Sequence, residues 1–200
     1  MEENLTIPDG LDAGAVNLAR AIRKQEGGDY NNRTGDSGSS AGAYQWNNQP
    51  NGKSVPLKNG EIPSNFQNDA KTYGLDPNDF SPKNQDMVAY HKIKALKDAG
   101  KNVIQIAAIW NGGDENRYDP NYVTPNGLPS QKEGVYDVPA YAQAVNNYYQ
   151  ELKGKTYQNT PIANKARTFD DLIKQSGTCG LSLAMIDTGV GVSRTNDTSA

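Results

Sequence analysis

The chain has 200 residues and carries 20 Lys+Arg against 23 Asp+Glu, a net charge of −3 with the two signs interspersed rather than blocked into runs. That length suits one ordinary globular domain with a short appendage, and the charge pattern is not a footprint for phosphate backbones, so nucleic acid is not an expected partner. A single cysteine, Cys179, cannot close an intramolecular disulfide, and a single histidine, His91, cannot build a histidine-rich metal site; no metal and no cofactor are expected.

The longest apolar run falls far short of the ~20 residues that span a bilayer, so no membrane span is expected. The start, MEENLTIPDG, is acidic and polar, unlike the basic and then apolar beginning of a signal peptide. In chain order, Leu11, Ala15, Leu18, Ala19 and Ile22 recur at helical spacing, which predicts a helix over 11–26 with Asp9 or Gly10 as its cap and Gly27-Gly28 as its stop. Residues 29–43 are glycine-rich and polar and suit an irregular hairpin beside a ligand groove; 47–63 is a second turn-rich stretch with Asn-Gly twice.

Ser64 is the expected cap of a short helix with Phe66, Ala70 and Tyr73, ended by Gly74. Ser81-Pro82 opens a longer helix with Ala89, Ile93 and Leu96 on one stripe, and Asn102 caps another in which Val103, Ile106, Ala107 and Trp110 share a face. A loop rich in Tyr, Pro and Asn then runs to Asp137. Tyr141, Val145, Tyr148 and Leu152 mark the last strong helix, to Gly154. The expectation is a mainly α chain with five helices and one weak β region, a domain over 1–155, and an appendage or linker over 156–200 that holds a short helix after Thr168. His91 reads as a partly exposed group, and Cys179 as a small buried hydrophobe.

Glu26 stands out because the apolar stripe 11, 15, 18, 22 continues onto it, placing a carboxylate where a core residue is expected. Apolar surroundings and the negative end of the helix dipole both raise such a carboxyl toward a general acid's range; a side chain that fans into solvent at the helix end is the plain alternative. Beyond it, Gly42-Ala43-Tyr44-Gln45-Trp46 closes the glycine-rich stretch with an amide between two aromatics. Sugars bind such surfaces, through amides for their hydroxyls and flat rings for their faces, and Trp110 and the tyrosines, Tyr141 among them, add to the set. Trp46 and Trp110 read equally as core fillers.

Three motifs occur in order: Gln25-Glu26-Gly27-Gly28, then Ser40-Ala41-Gly42-Ala43-Tyr44-Gln45, then Ile109-Trp110-Asn111-Gly112-Gly113. Together they resemble the signature of lysozyme-like lytic transglycosylases. Within that group, Phe80-Ser81-Pro82 followed by Gln85-Asp86 resembles the lambda-type phage endolysins more specifically. The motifs span roughly 15–153.

The resemblance implies an α+β lysozyme-like fold, two helical lobes with the groove between them and a small hairpin as one wall. It implies cleavage of the β-1,4 bond between N-acetylmuramic acid and N-acetylglucosamine in peptidoglycan, with Glu26 as acid and then base in forming a 1,6-anhydro ring. Gln45 carries over as a substrate-positioning amide, Tyr44 and Trp46 as groove walls, and Asn111 from the third motif; Trp110 stands where the family usually has Tyr. Asp36 is the candidate second acid of a hydrolytic muramidase, or else a turn residue in Gly35-Asp36-Ser37-Gly38. Asp114 and Glu115 read as solvated loop charges. The other alternative is a non-catalytic wall-binding piece of a virion. The expected partner is the glycan strand, in the periplasm or wall, reached by release from the cytoplasm, by phage delivery or on a virion; residues 156–200, with the small apolar patch 181–186, would dock onto a larger phage or secretion assembly.

Overall fold

Asp12, rather than Asp9 or Gly10, caps the first helix: its carboxylate accepts the Ala15 amide, and α1 runs Ala13–Gln25 with Glu26 as its C-cap. A computed structural model describes residues 10–133 and 135–154, and the helix is the centre of what it shows. Every residue of α1 from Ala15 to Ile22 is buried, because α4 (Pro82–Asp98) and α6 (Val138–Lys153) pack on it from different sides. A helix with neighbours around most of its girth has no polar face to spare, and Asn17 and Arg20 are buried with the rest.

All five helices expected from the periodicity are present. Ser64 is the first residue of α3 (Ser64–Thr72) rather than its cap, and its hydroxyl accepts the Gln49 amide instead. Ser81 caps α4 on the Asn84 amide with Pro82 in the first turn. Asn102 and Gln105 satisfy one another's backbone amides at the head of α5 (Val103–Gly112), a complete capping box, and Gly113 ends that helix at φ 75°, a left-handed conformation that a Cβ disfavours. Asp137 caps α6 on the Ala140 amide.

The additions are local. A single helical turn, α2 (Gly35–Gly38), precedes a two-residue ladder in which β1 (Ser40–Ala41) pairs antiparallel with β2 (Trp46–Asn47), Ala41 opposite Trp46. A second small hairpin, β3 (Gln131–Lys132) with β4 (Tyr136–Asp137), lies in the stretch expected as plain loop. Arg117 organises that loop from inside: its guanidinium donates to the carbonyls of Gly112 and Pro129, each at 2.8 Å, tying the C-terminus of α5 to the hairpin. Asp114 and Glu115 are likewise engaged rather than merely solvated, Asp114 accepting from the Tyr122 hydroxyl at 2.9 Å and Glu115 pairing with Lys101.

The described residues therefore form a mixed α+β arrangement of six helices and two small antiparallel hairpins. Among the described residues, no helix is long and apolar enough to cross a membrane. His91 is partly buried and stacks on Tyr73, as a partly exposed helix residue can. The expected appendage at 156–200, its short helix, the patch 181–186 and Cys179 lie outside the described residues.

Candidate active site

Glu26 closes α1 with its backbone amide still bonded to Ile22 at 2.9 Å, so the side chain leaves the helix in a fixed direction. It does not fan out into solvent. Oε1 accepts the Tyr141 hydroxyl from α6 at 2.6 Å, and the carboxyl is largely enclosed. Burial raises its pKa to about 7; the Tyr141 hydrogen bond pulls the other way, and the negative charge of Asp36 adds to the rise. A carboxyl in that range is half protonated at neutral pH, the condition for a general acid.

Tyr141 is itself buried, and its phenol is held well above the ordinary range by that burial and by the carboxylate beside it, so it remains a donor. Tyr141→Phe removes the one hydrogen bond that lowers the Glu26 carboxyl. Its pKa is then expected to rise above 7, and a carbon-13 titration of the Glu26 carboxyl in wild type and variant reads the shift directly; an unchanged midpoint would contradict the role given to this bond.

Asp36, Ser37 and Gln45 are the non-glycine residues with positive φ among the described residues, at 48°, 58° and 51°, and all three lie in the segment that follows Glu26. Left-handed backbone at a Ser or a Gln persists only where the surroundings dictate it, and such strain gathers at functional sites. Here the Asp36 carboxylate accepts the Ser40 hydroxyl at 2.6 Å, and Asn47 donates to the same hydroxyl at 3.2 Å. The Gln45 amide folds back to the Gly42 carbonyl at 2.7 Å and fills the space that a Cβ on Gly35 would occupy. Asp36 is exposed and Gln45 half-buried, so both are within reach of a ligand.

The aromatics of the motifs lie elsewhere than expected. Tyr44 has no exposed surface and gives its hydroxyl to Asp86 at 2.8 Å, and Trp46 is 4 % exposed, its indole N–H bonded to Asp69 at 3.3 Å. Both belong to one aromatic cluster with Phe66 and Phe80, so they support the hairpin from behind and are not groove walls. Trp110 is half-buried on the same cluster and donates to the Tyr44 carbonyl at 3.3 Å, which joins the end of α5 to the hairpin. Asn111, next in sequence, is exposed.

A second buried carboxylate was not singled out from the sequence for chemistry. Asp86 on α4 is fully buried and receives the hydroxyls of Tyr30 and Tyr44, with the Arg23 guanidinium 3.7 Å away. Burial raises its carboxyl to about 7 while Arg23 and the two phenols favour the ionised form. The signal was present, since the stripe of Ala89 and Ile93 extended backwards falls on Gln85 and Asp86, the criterion that picked out Glu26. Among the described residues, no cluster of three or more His, Cys, Asp or Glu side chains is placed to hold a metal ion.

Comparison with known protein families, curated proteins and solved structures returns no match for this chain. The site therefore stands on its own geometry: a largely enclosed carboxyl raised to about 7 with one phenol partner, followed by a strained polar turn that carries a second acid and an amide.

Proposed function

We propose that the chain is a peptidoglycan-degrading glycosidase that cleaves the β-1,4 bond between N-acetylmuramic acid and N-acetylglucosamine, with Glu26 as its acid. The observation that carries this reading is the enclosed Glu26 carboxyl raised to about 7 at the end of α1, with its proton available at neutral pH. Its position before a strained, glycine-rich turn suits the motif order, which resembles the lysozyme-like lytic transglycosylases.

In the transglycosylase form, neutral Glu26 protonates the departing glycosidic oxygen as the C1–O bond breaks. The carboxylate left behind then takes the proton from the C6 hydroxyl of the muramic acid, whose oxygen closes on C1. One carboxyl returns to its starting state, and no water is consumed. Tyr141 donates to Glu26 and steadies the anionic stage, supplying from α6 a hydroxyl that Trp110 cannot provide. Gln45 and Asn111 hold the glycan.

A second reading, hydrolysis, is favoured by one observation: the Asp36 charge acts on Glu26 from the facing turn and is oriented by Ser40. An inverting hydrolase would use Asp36 to activate water. Mass spectrometry of fragments released from purified peptidoglycan separates the two. Fragments that end in 1,6-anhydro-muramic acid, one water lighter, are the expected product. Reducing ends would shift the chemistry to Asp36, and no release by the wild type would overturn the enzyme reading in favour of wall binding alone.

A further inference from the structure

Gln85 and Asp86, consecutive residues in the first turns of α4, reach two separate segments of the site from behind. The Gln85 carboxamide accepts the Ala43 amide at 3.0 Å and donates to the carbonyls of Tyr30 at 3.2 Å and Phe80 at 2.9 Å. The Asp86 carboxylate accepts from Tyr30 at 2.8 Å and from Tyr44 at 2.8 Å. Tyr30 lies just beyond Glu26 and Gly27-Gly28, whereas Ala43 and Tyr44 lead directly into Gln45. Both side chains are fully buried.

The same two segments also meet directly, the Gly42 amide donating to the Asn32 carbonyl at 2.8 Å. Arg23, one turn before Glu26 on α1, joins the cluster through the Tyr30 hydroxyl and through Asp86. Gly42, at φ 81°, lies so close to the Gln85 amide and the Phe80 ring that a Cβ there would strike both. Residues 31–40 are polar and glycine-rich with little apolar packing of their own, so this buried polar set, together with the core anchors Tyr44 and Trp46, fixes the loop's course.

We infer that Gln85 and Asp86 are positioning residues for the site, a clamp that fixes the segment leaving Glu26 against the turn that carries Gln45. The inference rests on the reading of Glu26 as the acid. It gives the Phe-Ser-Pro-x-x-Gln-Asp motif a physical purpose: Ser81 and Pro82 set where α4 begins, and that start places the next two residues under the site. Neither side chain is placed to touch the glycan: Gln85 acts through the backbone of Tyr30, Phe80 and Ala43, and Asp86 through the hydroxyls of Tyr30 and Tyr44 on the same two segments.

The test compares full-chain wild type with Gln85→Met, which keeps the volume and removes all three hydrogen bonds, and with Tyr30→Phe, which removes one hydroxyl and serves if the first variant fails to fold. Amide exchange at Ala43 is measured alongside kcat and KM on purified peptidoglycan, well below the melting temperature. Gln85→Met is expected to speed exchange at Ala43 and to lower kcat by about 10- to 100-fold, with KM within about twofold, since a displacement near 1 Å suffices for losses of that size. Tyr30→Phe is expected to do the same to a smaller degree. A purely structural role would lower the melting temperature and leave kcat per folded molecule unchanged, and that result overturns the inference, as does Ala43 exchange at the wild-type rate. A wild type that releases no fragments overturns the glycosidase reading and the positioning role with it, whereas a wild type that cleaves no better than Gln85→Met overturns the positioning role alone.

Discussion

Glu26→Gln is expected to cut the release of sugar fragments by about 100- to 10,000-fold, with binding to insoluble peptidoglycan retained. The amide keeps the volume of the carboxyl and can still accept the Tyr141 hydroxyl, so the surroundings survive while the proton to be donated is gone. Fragment release and co-sedimentation with peptidoglycan, measured on the same preparations, read the two properties separately. Equal release by the variant would remove Glu26 from the chemistry. In the wild type, the acid must be protonated to act, so activity is expected to fall as pH rises through about 7, the limb set by the buried carboxyl.

The same substitution has a stability consequence of opposite sign. The folded protein holds the Glu26 proton up to about pH 7, whereas an unfolded chain releases it near 4.5. Stability from the protonated form is thus fully present below 4.5 and is lost as pH rises through 7, a swing on the order of 3 kcal/mol. Gln carries no such cost, so Glu26→Gln should melt several degrees above the wild type at pH 8 and close to it at pH 4. A carboxyl that costs the fold stability at neutral pH fits the acid role proposed for Glu26; equal melting temperatures at pH 8 would mean that the carboxyl is better solvated than its enclosure implies.

How much of this was legible in the sequence depends on the range of the forces involved. Helices whose caps are local, such as Ser81-Pro82 and Asn102 with Gln105, were placed by side chains within three residues of the ends they satisfy. The first cap is Asp12 rather than Asp9 or Gly10, and Asp12 also meets Lys97 of α4 and takes a donor from it, a long-range contact that no local rule shows. Glu26 was found because helical periodicity is itself a local rule. Its partner Tyr141 lies 115 residues away, and no local rule pairs them. Arg23 of α1, Tyr30 of the loop after it and Asp86 of α4 form one cluster, of which periodicity marks only Asp86 as a buried polar position on a helix.

The aromatics show the limit most sharply, and Trp46→Ala is the substitution expected to cost the most stability. A tryptophan beside a candidate sugar-binding amide fits a groove wall as well as a core, and sequence cannot separate the two. In the structure the Trp46 ring has Tyr44 and Phe66 each at 5.1 Å, Trp110 at 5.9 Å and Phe80 at 6.3 Å between centroids, and it joins β2 to α3 through Asp69, which in turn pairs with Lys92 at 2.8 Å. Truncation would open a cavity among four aromatic rings and leave the Asp69–Lys92 pair without its indole donor, a loss of about 3–5 kcal/mol. For a domain of this size that corresponds to a fall in melting temperature of about 10 °C or more. A glycan-stacking Trp46 would give the reverse pattern, an almost unchanged melting temperature with weakened binding to peptidoglycan. Thermal melts and co-sedimentation of the single variant therefore decide whether the motif's aromatics hold the hairpin from behind or meet the sugar in front.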